Sequence, residues 1–258
     1  MVYKNGPRFK VRPVADIEED LAEARNRYGP DIRRIFLPAG NTIAMKTDHL
    51  CRVCGYARDL FPNLERITVY GSSQFIFQKG PAEMKRLATA GLTRIHVGLE
   101  SGDDETLTRL KKGTTKKQQI EAGRYVTEAG IELSEYVMLG IAGTERSREH
   151  VGETADALNA INPHFIRLRT FVPKINTQLL EEIQQGAFEM LGPHGVLTET
   201  ARIIENLTVT SNLASDHYTN YINLDGRLPK DRARFLEVLA AALKRDESEF
   251  RPFFIGTQ

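Results

Sequence analysis

The apolar run Val97-Gly98-Leu99, which stops abruptly on Glu100-Ser101-Gly102, most narrows what this chain can fold into. A run of the same kind precedes it, Ile35-Phe36-Leu37-Pro38-Ala39-Gly40-Asn41. Another, Tyr136 to Gly143, follows after one helix-length. Continuous apolar runs mark parallel strands covered on both faces, and folds built from them carry their sites on the loops at the strands' carboxyl ends. The polar and glycine turns that close these three runs are therefore expected to share one rim.

Hydrophobic periodicity extends the pattern along the chain. It predicts helices over Pro13–Tyr28, Thr47–Leu60, Pro81–Ala90, Lys116–Ala129 and Arg146–Ile161, alternating with strands over Arg34–Leu37, Arg66–Tyr70, Arg94–Leu99, Leu133–Leu139 and Phe165–Thr170. These are about five strand–helix units at roughly thirty-residue spacing, the length of a βα repeat. Gly91 and Gly130 sit just past a helical pattern and just before a strand, where a left-handed cap is wanted. Thr47 and Ser147 are expected as amino-terminal caps. From Leu179 onward the pattern is mostly helical, with an extra strand at Thr208–Ser211 and a terminal amphipathic helix over Asp231–Lys244.

Composition sets the outer limits. With 258 residues, 41% of them hydrophobic, the chain has material for one large α/β domain, the favoured reading, or two small ones, and no low-complexity stretch. Its 35 basic and 34 acidic side chains nearly cancel, so no global field recommends nucleic acid or an anionic lipid surface as a partner. Lys111-Lys112 with Lys116-Lys117 is the densest basic cluster, read as a solvated helix start. No apolar run approaches the ~20 residues of a membrane span, and no leader pattern opens the chain. Two cysteines form no disulfide framework, which fits a reducing, cytoplasmic setting.

Few motifs carry chemistry. Cys51 and Cys54 form C-x-x-C, but inside a helical pattern, with no second Cys or His pair to complete a zinc site; small core residues are the expectation. His96 alternates on a predicted strand, and His150 and His217 are expected at the surface or at a helix end. No Ser/His/Asp arrangement in strand–turn–helix context, no Gly-x-Gly-x-x-Gly after a strand and no phosphate loop is present. Arg167 and Arg169, two apart on one strand, share a face and need anions, either ligands or ion pairs with Glu100 or Glu135. Tyr70 and Tyr136 are weaker pocket candidates.

Taken in order, Phe36–Asn41, Leu92–Gly102, Gly130–Gly143, Ile161–Thr170 and the closing Asn220–Pro229 resemble the catalytic core of radical S-adenosylmethionine (radical SAM) enzymes, in the Elongator- and methylthiotransferase-like subgroup. The resemblance implies an α/β fold of partial TIM-barrel type, with about five βα units of the usual six. Residues 1–178 would form the incomplete barrel core and 179–258 a mostly helical extension. In the family the first strand leads into a loop carrying C-x-x-x-C-x-x-C, whose thiolates hold a 4Fe–4S cluster; S-adenosylmethionine chelates the fourth iron and is cleaved reductively to a 5′-deoxyadenosyl radical. Met1–Pro13 looks like the segment just downstream of the third cysteine. The expectation is a chain lacking the first strand and the cluster loop, inactive as given and binding neither cofactor, although a full-length parent would use both.

The resemblance also assigns contacts to S-adenosylmethionine. Ala39-Gly40-Asn41 stands where the family has Gly-Gly-Glu for the amino group, with alanine and asparagine as departures, so Gly40 and Asn41 carry over. Glu100 and Ser101 stand at the strand end that approaches the ribose or amino group. Gly140, in Gly140-Ile141-Ala142-Gly143, lies near the adenine, and Arg169 is a partner for the carboxylate. Val172–Thr177 is bulkier than the family's turn, which puts adenine contacts there in doubt. The substrate is unknown. The reading from a different class is a non-catalytic binding or scaffolding protein that forms a homodimer through an exposed strand edge.

Overall fold

The computed structural model describes residues 10–38 and 40–256. The expectations for Met1–Phe9 and for Ala39 lie outside the described residues.

The five predicted strands stand where the apolar runs place them, to within a residue: β1 (Arg34–Leu37), β2 (Arg66–Gly71), β3 (Arg94–Glu100), β4 (Glu132–Leu139) and β5 (Phe165–Thr170). Two short strands follow, β6 (Asn212–Ala214) and β7 (Asp225–Arg227), and the sheet runs in chain order. Pairing is parallel for β1–β2, β2–β3 and β5–β6, and antiparallel for β6–β7. The fold class is α/β. The expected strand at Thr208–Ser211 moves to Asn212–Ala214, because the Thr208 and Thr210 N–H groups donate to the side chains of Asn159 (2.7 Å) and Asn162 (2.9 Å) instead of to a ladder.

The helices are α1 (Val14–Tyr28), α2 (Thr47–Leu60), α3 (Ser73–Thr89), α4 (Asp104–Arg109), α5 (Lys116–Glu128), α6 (Gly143–Ile161), α7 (Gln178–Gln184), α8 (Pro193–Asn206) and α9 (Arg232–Ala242). Gly80 breaks α3 (φ 78°, ψ 175°) just before the expected helix start at Pro81, and a helical segment from Ser73 precedes the break. The six-residue α4 is too short for periodicity to reveal. Gly91 (φ 103°) and Gly130 (φ 80°) take the left-handed caps expected of them. Thr47 and Ser147 do not cap: α2 starts on Thr47 after Lys46, and Ser147 lies inside α6, whose start at Gly143 precedes it.

The described chain divides into two compact units, one of residues 10–98 with 121–134, the other of residues 99–120 with 135–256. In the first, α2 buries Leu50, Val53, Cys54 and Ala57, an i, i+3, i+4, i+7 stripe, and the sheet contributes Ile67, Val69, Ile95 and Val97. Phe36 packs edge to face on Tyr70 and His96, which are tilted against each other, with ring centroids 4.9–5.9 Å apart. In the second unit, α6 packs on α8 and α8 on α9. Their buried stripes include Val151, Ala155 and Leu158 on α6 and Val196, Ile203 and Ile204 on α8. Along β5, Ile166, Leu168 and Thr170 are buried while Arg167 and Arg169 line the half-open face. Among the described residues no helix is long and apolar enough to cross a membrane.

Candidate functional site

The site begins where β3 ends. Alternation buries Leu99 and turns Glu100 to the other face, and Glu100 then bends the chain with φ 64°, a left-handed conformation that costs a non-glycine residue about 1–3 kcal/mol. The turn that follows is held from within the second unit. Ser101 Oγ accepts from Asp103 N–H (3.0 Å), and Asp103 caps α4 by accepting from Thr106 N–H (2.9 Å). Arg146 grips both Asp103 oxygens at 2.9 and 2.7 Å. Burial raises the Asp103 pKa, yet the hydrogen bonds from Arg146 and Thr106 outweigh it and hold the carboxyl at about 2. Gly102 donates to Thr154 Oγ1 (2.9 Å), and a Cβ there would overlap the Glu153 carbonyl. Gly102→Ala should therefore lift the turn off α6 and lower stability by about 2–3 kcal/mol, read from the urea midpoint at constant m-value.

A buried network joins this turn to the one after β4. His150 is fully buried, which corrects its expected place at the surface or a helix end. Its Nδ1 lies 2.8 Å from Ser101 Oγ, and its Nε2 lies 3.5 Å from Glu199 Oε1. Glu199, also buried, accepts from Gly140 N–H (2.6 Å) and from Ser147 O–H (2.7 Å). Burial pushes the His150 ring below its ordinary pKa against the opposing pull of Glu199, so the ring is neutral at pH 7. A neutral ring with its proton on Nε2, facing Glu199, accepts the Ser101 hydroxyl at Nδ1. The available sequence signal was the period of α6: His150 falls one turn before Thr154 and beside Val151, on the buried stripe.

Above these turns the second unit holds a cavity of about 250 Å³. Its apolar wall includes Met138, Ile141 and Phe171, and Glu100, Lys112 and Lys174 bring charge to it. Lys112 Nζ is 3.2 Å from Glu100 Oε1, while Glu100 Oε2 is buried without a hydrogen-bond partner. Lys112 corrects the reading of its cluster as solvated. The end of α4 turns back through Lys111 (φ 52°) with Lys112 N–H donating to Leu107, and this returns the lysine to the strand it left. Beside the pair, burial pushes the Glu135 carboxyl up to about 8, with Lys112 opposing and Glu100 adding to the shift. Phe171, Lys174 and Thr177 line the cavity, so the bulkier segment after β5 forms wall where the sequence put contacts in doubt.

The remaining candidates fall elsewhere. Gly140 takes φ 75°, and its N–H belongs to Glu199. Arg169 lies over the Tyr136 ring at 4.4 Å, and Arg167 reaches Asp216 at 4.0 Å; neither pairs with Glu100 or Glu135, so of the two readings offered for them the ion pairs do not form. Gly40 and Asn41 belong to the first unit, where Asn41 Nδ2 donates to Ser72 Oγ (3.1 Å) and its Oδ1 is buried without a partner. Cys51 lies against the Arg86 carbonyl within α2, and burial pushes the Cys54 thiol up to about 12. Neutral helix-bound thiols do not suit a cluster or a redox exchange, and among the described residues no group of three or more His, Cys, Asp or Glu is arranged to hold a metal ion.

A family model described as the Radical SAM superfamily matches residues 1–158. Over 46 residues, 18% of this chain and 6% of the other, the sequence is 50% identical to the 4′-phospho-dehydrooxetanocin synthase of Priestia megaterium. Among solved structures, coproporphyrinogen III oxidase (HemN) from Escherichia coli, a radical SAM enzyme, is similar with a TM-score of 0.58 at 12% identity, over 74% of this chain and 44% of that one. The archaeal Elp3 of Methanocaldococcus infernus with an N-terminal deletion (1–46) is similar with a TM-score of 0.57 at 14% identity, over 92% and 59%. Methylornithine synthase (PylB) gives 0.55 at 14%, over 95% and 77%. At such identities the likeness is one of fold. The chain spans a small part of the curated relative and about half of the HemN and Elp3 chains.

Proposed function

The chain belongs to the radical SAM superfamily, and we propose that the cavity beside Glu100 receives the nucleoside of S-adenosylmethionine. The observation that carries this is the Glu100–Lys112 pair opening onto an apolar wall, with one Glu100 oxygen buried and unpartnered. S-adenosylmethionine offers an ammonium and a carboxylate on one carbon and a flat purine at the far end. The Glu100 carboxylate matches the ammonium or the ribose hydroxyls, Lys112 matches the carboxylate, and Met138, Ile141 and Phe171 match the purine. Ser101 and Gly140 serve by shaping the two turns. Gly40 and Asn41 belong to the first unit and do not enter this cavity; they stay amino-group candidates on the sequence resemblance alone.

The two thiols of this sequence do not fit a 4Fe–4S cluster, so we take the chain as given to bind the nucleoside weakly and to leave it uncleaved. The Elongator- and methylthiotransferase-like subgroup, on the Asn220–Pro229 segment, and a reducing cytoplasmic setting, on two free thiols, belong to the same proposal. Calorimetric titration with S-adenosylmethionine and S-adenosylhomocysteine should give millimolar affinity, about −4 kcal/mol, weakened about tenfold in Lys112→Gln. No 5′-deoxyadenosine should form under dithionite. Absence of binding at high concentration, or equal affinity in the variant, would overturn the nucleoside reading and favour a scaffold; 5′-deoxyadenosine formation would overturn the inactivity.

A further inference from the structure

Arg169 does not line the nucleoside cavity, and among the described residues no carboxylate lies within ion-pairing distance of it. It is half-buried on β5, its guanidinium over the Tyr136 ring. Removing a guanidinium from bulk water without a counter-charge is costly, and an aromatic face returns part of that cost. The loop Ser215–Leu224 is built around it. Asn220 bridges the two backbone groups that flank Arg169, donating to Leu168 O (2.9 Å) and accepting from Thr170 N–H (2.7 Å). Ser215 closes the loop on Ile222 (2.7 Å) and Leu224 (2.9 Å), and Arg251 donates to Thr219 O (2.8 Å). A loop strapped at both ends and in the middle is pre-organised, so it loses little entropy when a ligand arrives.

That loop presents two rings. His217 lies close enough to Arg169 for the guanidinium to lower its pKa, after burial, which is the larger cause. Its Nδ1 lies 2.7 Å from Thr219 Oγ1 and 3.4 Å from Thr219 N; a neutral ring that accepts from both carries its proton on Nε2 as a donor. The Tyr218 ring stacks obliquely on His217 at 4.4 Å and against Phe254 at 6.2 Å, yet Tyr218 is 73% exposed. A large aromatic held in place by two others and still offered to solvent is a platform for a flat group.

We propose that Arg169 and the Ser215–Leu224 loop form a substrate site for an anionic group, a carboxylate or phosphate, carried on a flat ring that stacks on Tyr218. The nucleoside reading enters only in naming this ligand the substrate. It reassigns Arg169 from the carboxylate of S-adenosylmethionine, which Lys112 serves. The test is a titration of the intact chain, labelled at arginine and histidine, with phenyl phosphate, benzoate and the neutral benzyl alcohol, followed by NMR. The two anions should shift the Arg169 Nε–H and His217 ring signals and the alcohol should not. Arg169→Gln should weaken phenyl phosphate by about tenfold or more, the worth of a charge-assisted hydrogen bond, with Arg169→Lys recovering part of it. Affinity for S-adenosylhomocysteine should be unchanged in both variants. Equal response to benzyl alcohol, undiminished phenyl phosphate binding in Arg169→Gln, or loss of S-adenosylhomocysteine binding there would each overturn the site. Phenyl phosphate binding through Arg169 in a chain that fails to bind S-adenosylhomocysteine would leave the site standing and remove the nucleoside reading.

Discussion

Replacing Glu199 by leucine is expected to destabilise the protein by about 3–5 kcal/mol, the cost of stranding buried partners of a charged group. Leucine has a similar volume, so the loss isolates the polar network from packing. Two donors lose their acceptor together, Gly140 N–H at 2.6 Å and Ser147 O–H at 2.7 Å, and the His150 edge loses the carboxylate it faces at 3.5 Å. Gly140 N–H cannot turn to water, since Glu199 and His150 are buried and Gly140 is fixed at φ 75°, whereas the half-buried Ser147 hydroxyl can rotate. Glu199→Gln should cost less, about 1–2 kcal/mol, because its carbonyl keeps one donor while its amide turns toward Ser147, which can accept. Urea denaturation of both variants checks this. A leucine variant within about 1 kcal/mol of the parent would mean that the two donors find other partners, and that the two turns are held by packing alone.

The strands were legible because each is an apolar run bounded by glycine or charge. Ile95, Val97 and Leu99 alternate in burial against Arg94, His96 and Glu100, a period of two that the residues state directly. Glu100 was legible for the same reason: a carboxylate at the close of such a run has no place in the core. Lys112 was not, because its position depends on a helix of six residues and a left-handed turn at Lys111, neither of which leaves a periodic trace. His150 was misplaced because the charged residues Arg148 and Glu149 before it and Glu153 after it hide the stripe it shares with Val151 and Thr154. Arg167 and Arg169 were placed on the correct shared face. Their partners are a ring from β4 and a loop fifty residues on, contacts that only tertiary structure reveals.

Glu135→Gln is expected to leave stability nearly unchanged at pH 5 and to raise it by about 2–4 kcal/mol at pH 9. Burial, reinforced by Glu100 and opposed by Lys112, lifts this carboxyl from 4.5 to about 8 in the folded chain. The folded state therefore holds a proton that the unfolded state has released between those two values. With a raised folded pKa, the contribution is fully present below about 4.5, declines as pH rises and is gone above about 8. A difference of some three and a half units corresponds to a ceiling of about 5 kcal/mol, and relaxation around a buried charge brings the expected effect below it. Glutamine keeps the shape without the ionisation, so its stability profile should be flatter than the parent's across this window. Urea midpoints at pH 5, 7 and 9 for both proteins decide it. Parallel profiles would mean that Glu135 is already ionised at pH 7 and is balanced by Lys112. In that case the Glu100–Lys112 pair is one side of a three-charge cluster, and its affinity for a ligand ammonium should be greater than a single carboxylate provides.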